Sequence, residues 1–323
     1  MNLALVIPVR NDQLGLDRLV AQARFMGVFA QIVVVDDASE VPVSVAGDII
    51  GPRRCPVTVL RRDARGGAGT ARNLALGMVQ TDHMIFFDSD DLFTPEFAPL
   101  WESLQGRDFD FCLMRYQDSE RAHFGGWGQN PHDEACWKRA EAGNDVLSEP
   151  SETALWTLAQ AGNFPWNKIY RTAFLRDNGL RCTETQVHND IELHWGSFLA
   201  ARRVILSARI GALHVVRPGA DRLTNISDAT RLQLFQALNR VLETLAQHGN
   251  PLPATLSFLR FAADLLIWAE RMIDADLRDA FRTRTQIFLQ SAVTAQIHET
   301  LIHEDPVLAL QLCLQRSAEP VPC

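Results

Sequence analysis

Four short apolar runs, each stopped by a polar or glycine-rich cluster, constrain the fold of this chain more than any other feature. Leu3–Pro8 leads into Val9-Arg10-Asn11, Gln31–Val35 stops at Asp36-Asp37, Val57–Leu60 precedes Gly66-Gly67-Ala68-Gly69, and Met84–Phe87 stops at Asp88-Ser89-Asp90-Asp91. Leu14, Leu16, Leu19, Val20 and Ala23 follow helical spacing after the first run, and the glycine turn predicts a helix over Thr70–Met78. Short apolar runs with helices between them predict parallel strands buried on both faces. The implied architecture is an open α/β sheet, whose ligands bind beyond the carboxyl ends of the strands. Three of the polar clusters fall at such ends.

The rest of the chain divides in two. Phe93 to Arg222 is mixed, with a polar excursion over Asp118–Asn144 that contains Gly125-Gly126-Trp127-Gly128 and Trp137 and reads as a long loop. From Asp228 the pattern is helical. Leu234, Leu238, Val241 and Leu245 predict one helix, Phe258, Ala262, Leu265, Ala269 and Met272 a second, Phe281, Ile287 and Phe288 a third, and Val307–Leu314 a fourth. The expected organisation is an α/β domain over residues 1–225 and a helical C-terminal domain over 226–323.

Composition excludes some classes. With 47% hydrophobic and 22% charged residues the chain is neither collagen-like, a coiled-coil rod nor disordered. Lys plus Arg is 31 against 39 Asp plus Glu, a formal charge of -8 that argues against nucleic acid as a partner. The six cysteines are widely spaced with no CxxC pair, as expected of reduced cysteines in the cytoplasm. The N-terminal run reads as a strand rather than a signal peptide, and no stretch reaches the ~18 apolar residues of a membrane span. Peripheral membrane contact stays open.

The acidic tetrad carries the clearest chemistry. Crowding three carboxylates into Asp88-Ser89-Asp90-Asp91 is costly without a cation. Mg²⁺ or Mn²⁺ takes oxygen ligands and bridges carboxylates to substrate phosphates, and residues two apart on extended backbone project to one side. The bland alternative is an acidic turn with Asp91 capping the next helix. Asp36-Asp37 similarly suits ribose hydroxyls or base N–H groups, or else a plain turn with Ser39 as a cap. The glycine turn is only half of a dinucleotide fingerprint. It delivers Arg72 and Asn73 near the crevice.

The order IPVRND, VVVDDAS, GGAGTARNLAL, FFDSDD resembles the inverting family 2 glycosyltransferases of GT-A fold. The resemblance continues in Phe164-Pro165-Trp166-Asn167-Lys168-Ile169-Tyr170-Arg171, similar to the WNKxYR segment of bacterial members, and in His188-Asn189-Asp190, at the place of the family's ED motif. It covers about residues 1–225. It implies a mixed, mainly parallel sheet flanked by helices. Pro8, Arg10, Asp37 and Arg72 would bind the donor nucleotide, and Asp88 and Asp90, as the DxD, the ribose and a diphosphate-bound Mn²⁺ or Mg²⁺, with Asp91 adjacent. Asp190 would be the general base. Asn189 departs from the customary Glu. His214 is a candidate third metal ligand or else a core histidine, and Arg217 and Arg222 candidate diphosphate contacts or surface arginines. Trp166 and Lys168 are candidates for the acceptor side, with core packing the alternative for Trp166; His188 and His194 carry no assigned role.

The expected activity is transfer of a sugar from a nucleotide diphosphate, most often UDP, to a hydroxyl of a glycan or lipid-linked acceptor, as in surface-polysaccharide synthesis. A sugar-phosphate nucleotidyltransferase fits less well, since its first loop is rich in glycine and here reads Arg10-Asn11-Asp12-Gln13. A non-catalytic scaffold on the same fold is the second reading, motivated by Asn189. The tail is the expected surface for any self-association.

Overall fold

A computed structural model describes residues 1–46, 55–123, 125–142, 146–216 and 226–317. The chain begins with β1 (Leu3–Val9), α1 (Gln13–Met26), β2 (Gln31–Asp36), β3 (Val57–Arg61), α2 (Gly67–Leu76), β4 (His83–Phe86), β5 (Leu92–Phe93) and α3 (Phe97–Leu104). It continues with β6 (Phe111–Asp118), α4 (Ser119–His123), α5 (Pro131–Arg139), β7 (Leu147–Ser148), α6 (Glu152–Leu158), β8 (Lys168–Arg171), α7 (Thr172–Asp177), α8 (Ile191–Ala200) and β9 (Val204–His214). Helices α9 (Leu234–Gln247), α10 (Leu252–Met272), α11 (Arg278–Ala292), α12 (Ala295–Glu304) and α13 (Pro306–Ser317) close it.

All nine strands of the described residues join one sheet in the order β3-β2-β1-β4-β8-β6-β9-β5, with β7 paired to β9. Strands β3, β2, β1 and β4 are parallel. β8 inserts antiparallel between β4 and β6, and β9 is parallel to β6. β6 and β9 therefore run with β4, and their carboxyl ends reach the same edge of the sheet. That edge carries the polar clusters.

The apolar runs are buried on both faces as their composition requires. Leu3, Leu5, Ile7, Ile32, Val34, Ile85 and Phe87 face one core, closed by α1 and α3. The alternate residues Ala4, Val6, Val33, Val35, Met84 and Phe86 face the other, with Ala71 and Ala75 of α2. This second core runs on without a break through Trp195 and Phe198 of α8 to Leu238, Phe258, Leu289 and Leu312 of the last helices. Trp195 packs its ring 5.2 Å from Phe258 and 5.5 Å from Phe261. The α/β part and the tail thus share one hydrophobic core.

Four local details depart from the sequence reading. Helix α2 starts at Gly67 rather than Thr70, because a carboxylate from the end of β2 receives the N–H groups of Gly66 and Gly67 and starts the helix on its glycines. The polar excursion is not one loop; Asn130 accepts from the Asp133 N–H at 2.9 Å and Pro131 opens α5. The tail has five α-helices among the described residues, α12 having been missed. Contrary to expectation, α10 is long and apolar enough to cross a membrane, by length and composition alone. Half of its apolar window is buried against the protein.

Candidate active site

Two glycines fix the crevice at the carboxyl edge. Gly67 has φ +86°, a value that L side chains rarely adopt. A Cβ on Gly69 would lie 2.4 Å from the Thr183 carbonyl and 2.7 Å from the Asn189 Cβ, so only glycine lets α2 press against the loop before α8. Asn73 locks that approach from both sides. Its amide donates to the Cys182 carbonyl and its oxygen accepts the Cys182 N–H, each at 2.9 Å.

Arg72 lies at the centre, only 4% exposed. Its guanidinium donates to Asp88 at 2.5 Å and to the Asn189 amide oxygen at 2.8 Å. Burial acts against its charge, but Asp88, Cys182 and Asp190 hold it firmly protonated. Asn189 therefore supplies an acceptor without a second negative charge, which leaves more of the Arg72 field for Asp190. Asp190 stands at the N-terminus of α8, and no hydrogen bond from another described residue reaches its carboxylate. Burial pushes its pKa up; Arg72 and Lys168 pull it down and Asp88 pushes it up further, with a net rise.

The acidic tetrad divides into separate jobs. Asp88 faces Arg72. Asp90 is exposed, yet the surrounding protein strips water from its carboxyl and, with the Asp88 charge, raises its pKa. Asp91 is buried and accepts the Val215 N–H at 2.8 Å, so it ties β4 to the end of β9 rather than capping a helix. Burial lifts its pKa well above the usual range. Ser89 donates to Asp12 at 2.8 Å, and Asp12 caps α1 through the Gly15 N–H. His214 ends β9, where its Nδ1 lies 3.3 Å from Asp118 and its ring stacks on Trp166. Burial would lower its pKa, but Asp118, Asp91 and Asp90 raise it.

Other expected site residues fall differently. Pro8 is buried within β1 and Arg10 is exposed just beyond it. Asp37 is 3% exposed and is occupied by Gly66, Gly67 and Arg62, which makes it the starting cap of α2. Asp36 is likewise spent on Ser39, Val43 and Arg61; these bonds outweigh burial and lower its pKa. Trp166 and Lys168 do not present themselves to an acceptor, being 1% and 0% exposed. Trp166 sits among Phe87, Tyr116, Phe164 and His214. Lys168 donates to the Phe164 carbonyl and to Asn167, and burial lowers its pKa to about 7 although Asp190 and Asp133 oppose this. Arg217 and Arg222 lie outside the described residues.

The tail reaches the site where the sequence offered no cue. Gln233 accepts the Gln186 N–H at 2.7 Å. The Trp268 ring of α10 lies 4.8 Å from the Arg231 guanidinium and meets the His188 imidazole edge-on at 6.0 Å. His188 has φ +55°, uncommon for a side chain, and burial with the Arg231 charge lowers its pKa to about 4. The tail therefore clamps the residue two before Asp190.

As for a metal, no group of three or more His, Cys, Asp or Glu side chains among the described residues is arranged to hold one. The donor chemistry still suits a hard cation shared with a ligand's phosphates, because Asp88 and Asp90 supply oxygen and repel each other.

A sheet with a parallel half, an acidic β4 end and a carboxylate at the head of α8 defines a GT-A fold. The sequence profile of glycosyl transferase family 2 matches residues 4–177, and the chain belongs to that family. Pre-mycofactocin glycosyltransferase of Mycobacterium tuberculosis is 40% identical over 111 residues, which are 34% of this chain and 21% of that relative. The chain thus covers about a fifth of that curated relative's length. Among solved structures, residues 1–349 of S. aureus TarS with UDP-GlcNAc superpose with TM-score 0.71 at 16% identity, covering 98% of this chain and 88% of that one. The same protein with UDP gives 0.69 at the same identity and coverage.

Proposed function

We propose that the protein is an inverting glycosyltransferase that moves a sugar from a UDP-sugar to a hydroxyl of a glycan or lipid-linked acceptor. The observation that carries this is Asp190 at the head of α8, a carboxylate that no other described residue hydrogen-bonds, set next to the Arg72-bound Asn189 and within the field of Arg72, Asp88 and Lys168. Sugar–nucleotide complexes of the TarS structures support the choice of donor.

In this reading Arg10 and the edge of β1 receive the nucleoside, while Asp88 and Asp90 receive the ribose and the diphosphate. Asp88 and Asp90 would hold a Mn²⁺ or Mg²⁺, which would neutralise the diphosphate charge. His214 stands close enough to Asp90 and Asp91 to share their field, and its Nδ1 is engaged by Asp118. Asp190 takes the proton of the acceptor hydroxyl as that oxygen bonds to the anomeric carbon. The bond from that carbon to the diphosphate oxygen breaks, and the nucleoside diphosphate leaves with the electron pair. Attack opposite the leaving group inverts the anomeric carbon. Free cysteines among the described residues fit a cytoplasmic site of action.

The test is Asp190→Asn. Transfer from a UDP-sugar panel should fall by about 10²-fold or more while UDP affinity measured by calorimetry persists. Full transfer by this variant removes Asp190 as the base. UDP binding that ignores added Mn²⁺ and Mg²⁺ removes the metal.

A further inference from the structure

We infer that Trp127 is the stacking platform for the sugar acceptor, an inference that rests on the glycosyl-transfer reading above. Trp127 lies in the Gly125-Gly126-Trp127-Gly128 segment, whose purpose neither the fold nor the donor site explains. Its indole is 72% exposed. A single exposed apolar side chain needs no explanation. A turn built to hold one out does.

Each glycine of that turn is required for its own reason. Gly125 and Gly128 have φ of +75° and +96°, where a side chain is strained. A Cβ on Gly126 would lie 2.7 Å from the Arg121 side chain. Backbone bonds fasten both ends: Gly125 donates to the Ala122 carbonyl at 3.0 Å and Gly126 to the Arg121 carbonyl at 2.9 Å. The Gly128 N–H donates to the Gln117 side chain at 2.8 Å, and the Gly128 carbonyl accepts the Asp118 N–H at 3.0 Å. The Arg121 guanidinium adds a bond to the Gln129 carbonyl at 2.5 Å. Three glycines and a bonded frame thus present one ring to solvent.

Its location suits the acceptor. Gln117 and Asp118 end β6, whose carboxyl end shares the sheet edge with Asp88. Asp118 in turn holds His214, which feels the charges of Asp90 and Asp91. The nucleotide half of the edge is formed by β2, β1 and β4, and β6 lies beyond β4 on the far side. An acceptor approaching Asp190 away from the donor therefore comes in over β6. The neighbours of Trp127 favour a sugar over an acyl chain: Glu120 and His123 are exposed, with Arg121 and Asn130 partly so. A pyranose ring offers a C–H face to the indole and hydroxyls to the polar groups around it.

The experiment measures binding of the full chain and its Trp127→Ala and Trp127→Phe variants to an array of immobilised oligosaccharides, with UDP and Mn²⁺ present. UDP affinity is measured in parallel by calorimetry. Wild type should retain a subset of glycans; Trp127→Ala should bind them about tenfold more weakly and Trp127→Phe within about threefold, with UDP affinity alike in all three. Equal glycan binding by Trp127→Ala overturns the platform, as does a wild type that binds UDP but no glycan on the array. A wild type that binds glycans but no UDP overturns the UDP-sugar donor of the reading above and leaves the platform standing; one that binds neither overturns both.

Discussion

The Arg72 guanidinium donates to the Asn189 amide oxygen at 2.8 Å, joining residues 117 positions apart in the chain. Through this bond the acidic end of β4 and the head of α8 share one cation. Replacing Arg72 with Ala strands Asp88 and Asn189 beside a buried cavity. Stability in urea should fall by about 3 kcal/mol, and UDP affinity should fall with it. A loss below about 1 kcal/mol would mean that the pair does not organise the site.

Gly69→Ala tests the close approach that makes this bond. The added methyl meets the Thr183 carbonyl and the Asn189 Cβ. Backbone on one side cannot yield cheaply, so a loss of about 2 kcal/mol in urea denaturation is expected. Unchanged stability with unchanged activity would show that the loop before α8 has room to move.

Trp268 links the tail to His188. Trp268→Ala should lower kcat about tenfold and leave the KM for the donor unchanged, because the loop bearing Asp190 loses its clamp while the nucleotide groups stay in place. Active-site titration with UDP separates this from a smaller folded fraction. Trp268→Phe keeps an aromatic ring against His188 and should recover most of the rate.

The pH dependence follows from two shifts. Asp190 acts as a base only when ionised and its pKa lies above the ordinary 3.8. The acid limb of kcat is therefore displaced upward from the usual carboxylate range. Between 3.8 and the raised value the native state binds the extra proton, so this group costs stability as pH rises there, and Asp190→Asn should remove that cost. Lys168 has the opposite proton balance. Its folded pKa is about 7 against 10.5 unfolded, so above pH 7 the unfolded chain binds more protons and stability rises with pH. Between pH 7 and 8.5, Lys168→Met should flatten the rise by up to about 1.4 kcal/mol per pH unit. Identical slopes would remove Lys168 as the source.

What could be read from the sequence was local. An apolar run ending in carboxylates states its own strand and its own edge, which is why the place of Asp88 and Asp90 just beyond β4 was legible without a structure. Helical periodicity in the tail is local in the same sense. What escaped depends on partners far away in the chain. Asp37 reads as a group for ribose hydroxyls or base N–H groups, or as a plain turn, and its bonds to the Gly66 and Gly67 N–H groups come from far along the chain. Lys168 reads as an acceptor-side cation, and Trp166 as acceptor-side or core, until β8 is found in the middle of the sheet with Trp166 buried just before it. Nothing near Trp268 hints at His188, eighty positions earlier. Gly69 was visible as one of a glycine cluster, but its need for closeness appears only with Thr183 in place.

The unbroken core beneath the sheet and the last helices has a consequence for how this chain could change over time. Its C-terminal helices cannot be traded between relatives like a cassette. Any substitute must match Trp195 and Phe198 on one side and His188 on the other. Diversification of the tail is therefore coupled to the reaction centre, whereas the Gly125–Gly128 turn is fastened to α4 and β6 outside that shared core, and its exposed side chain, Trp127, can change without disturbing the core.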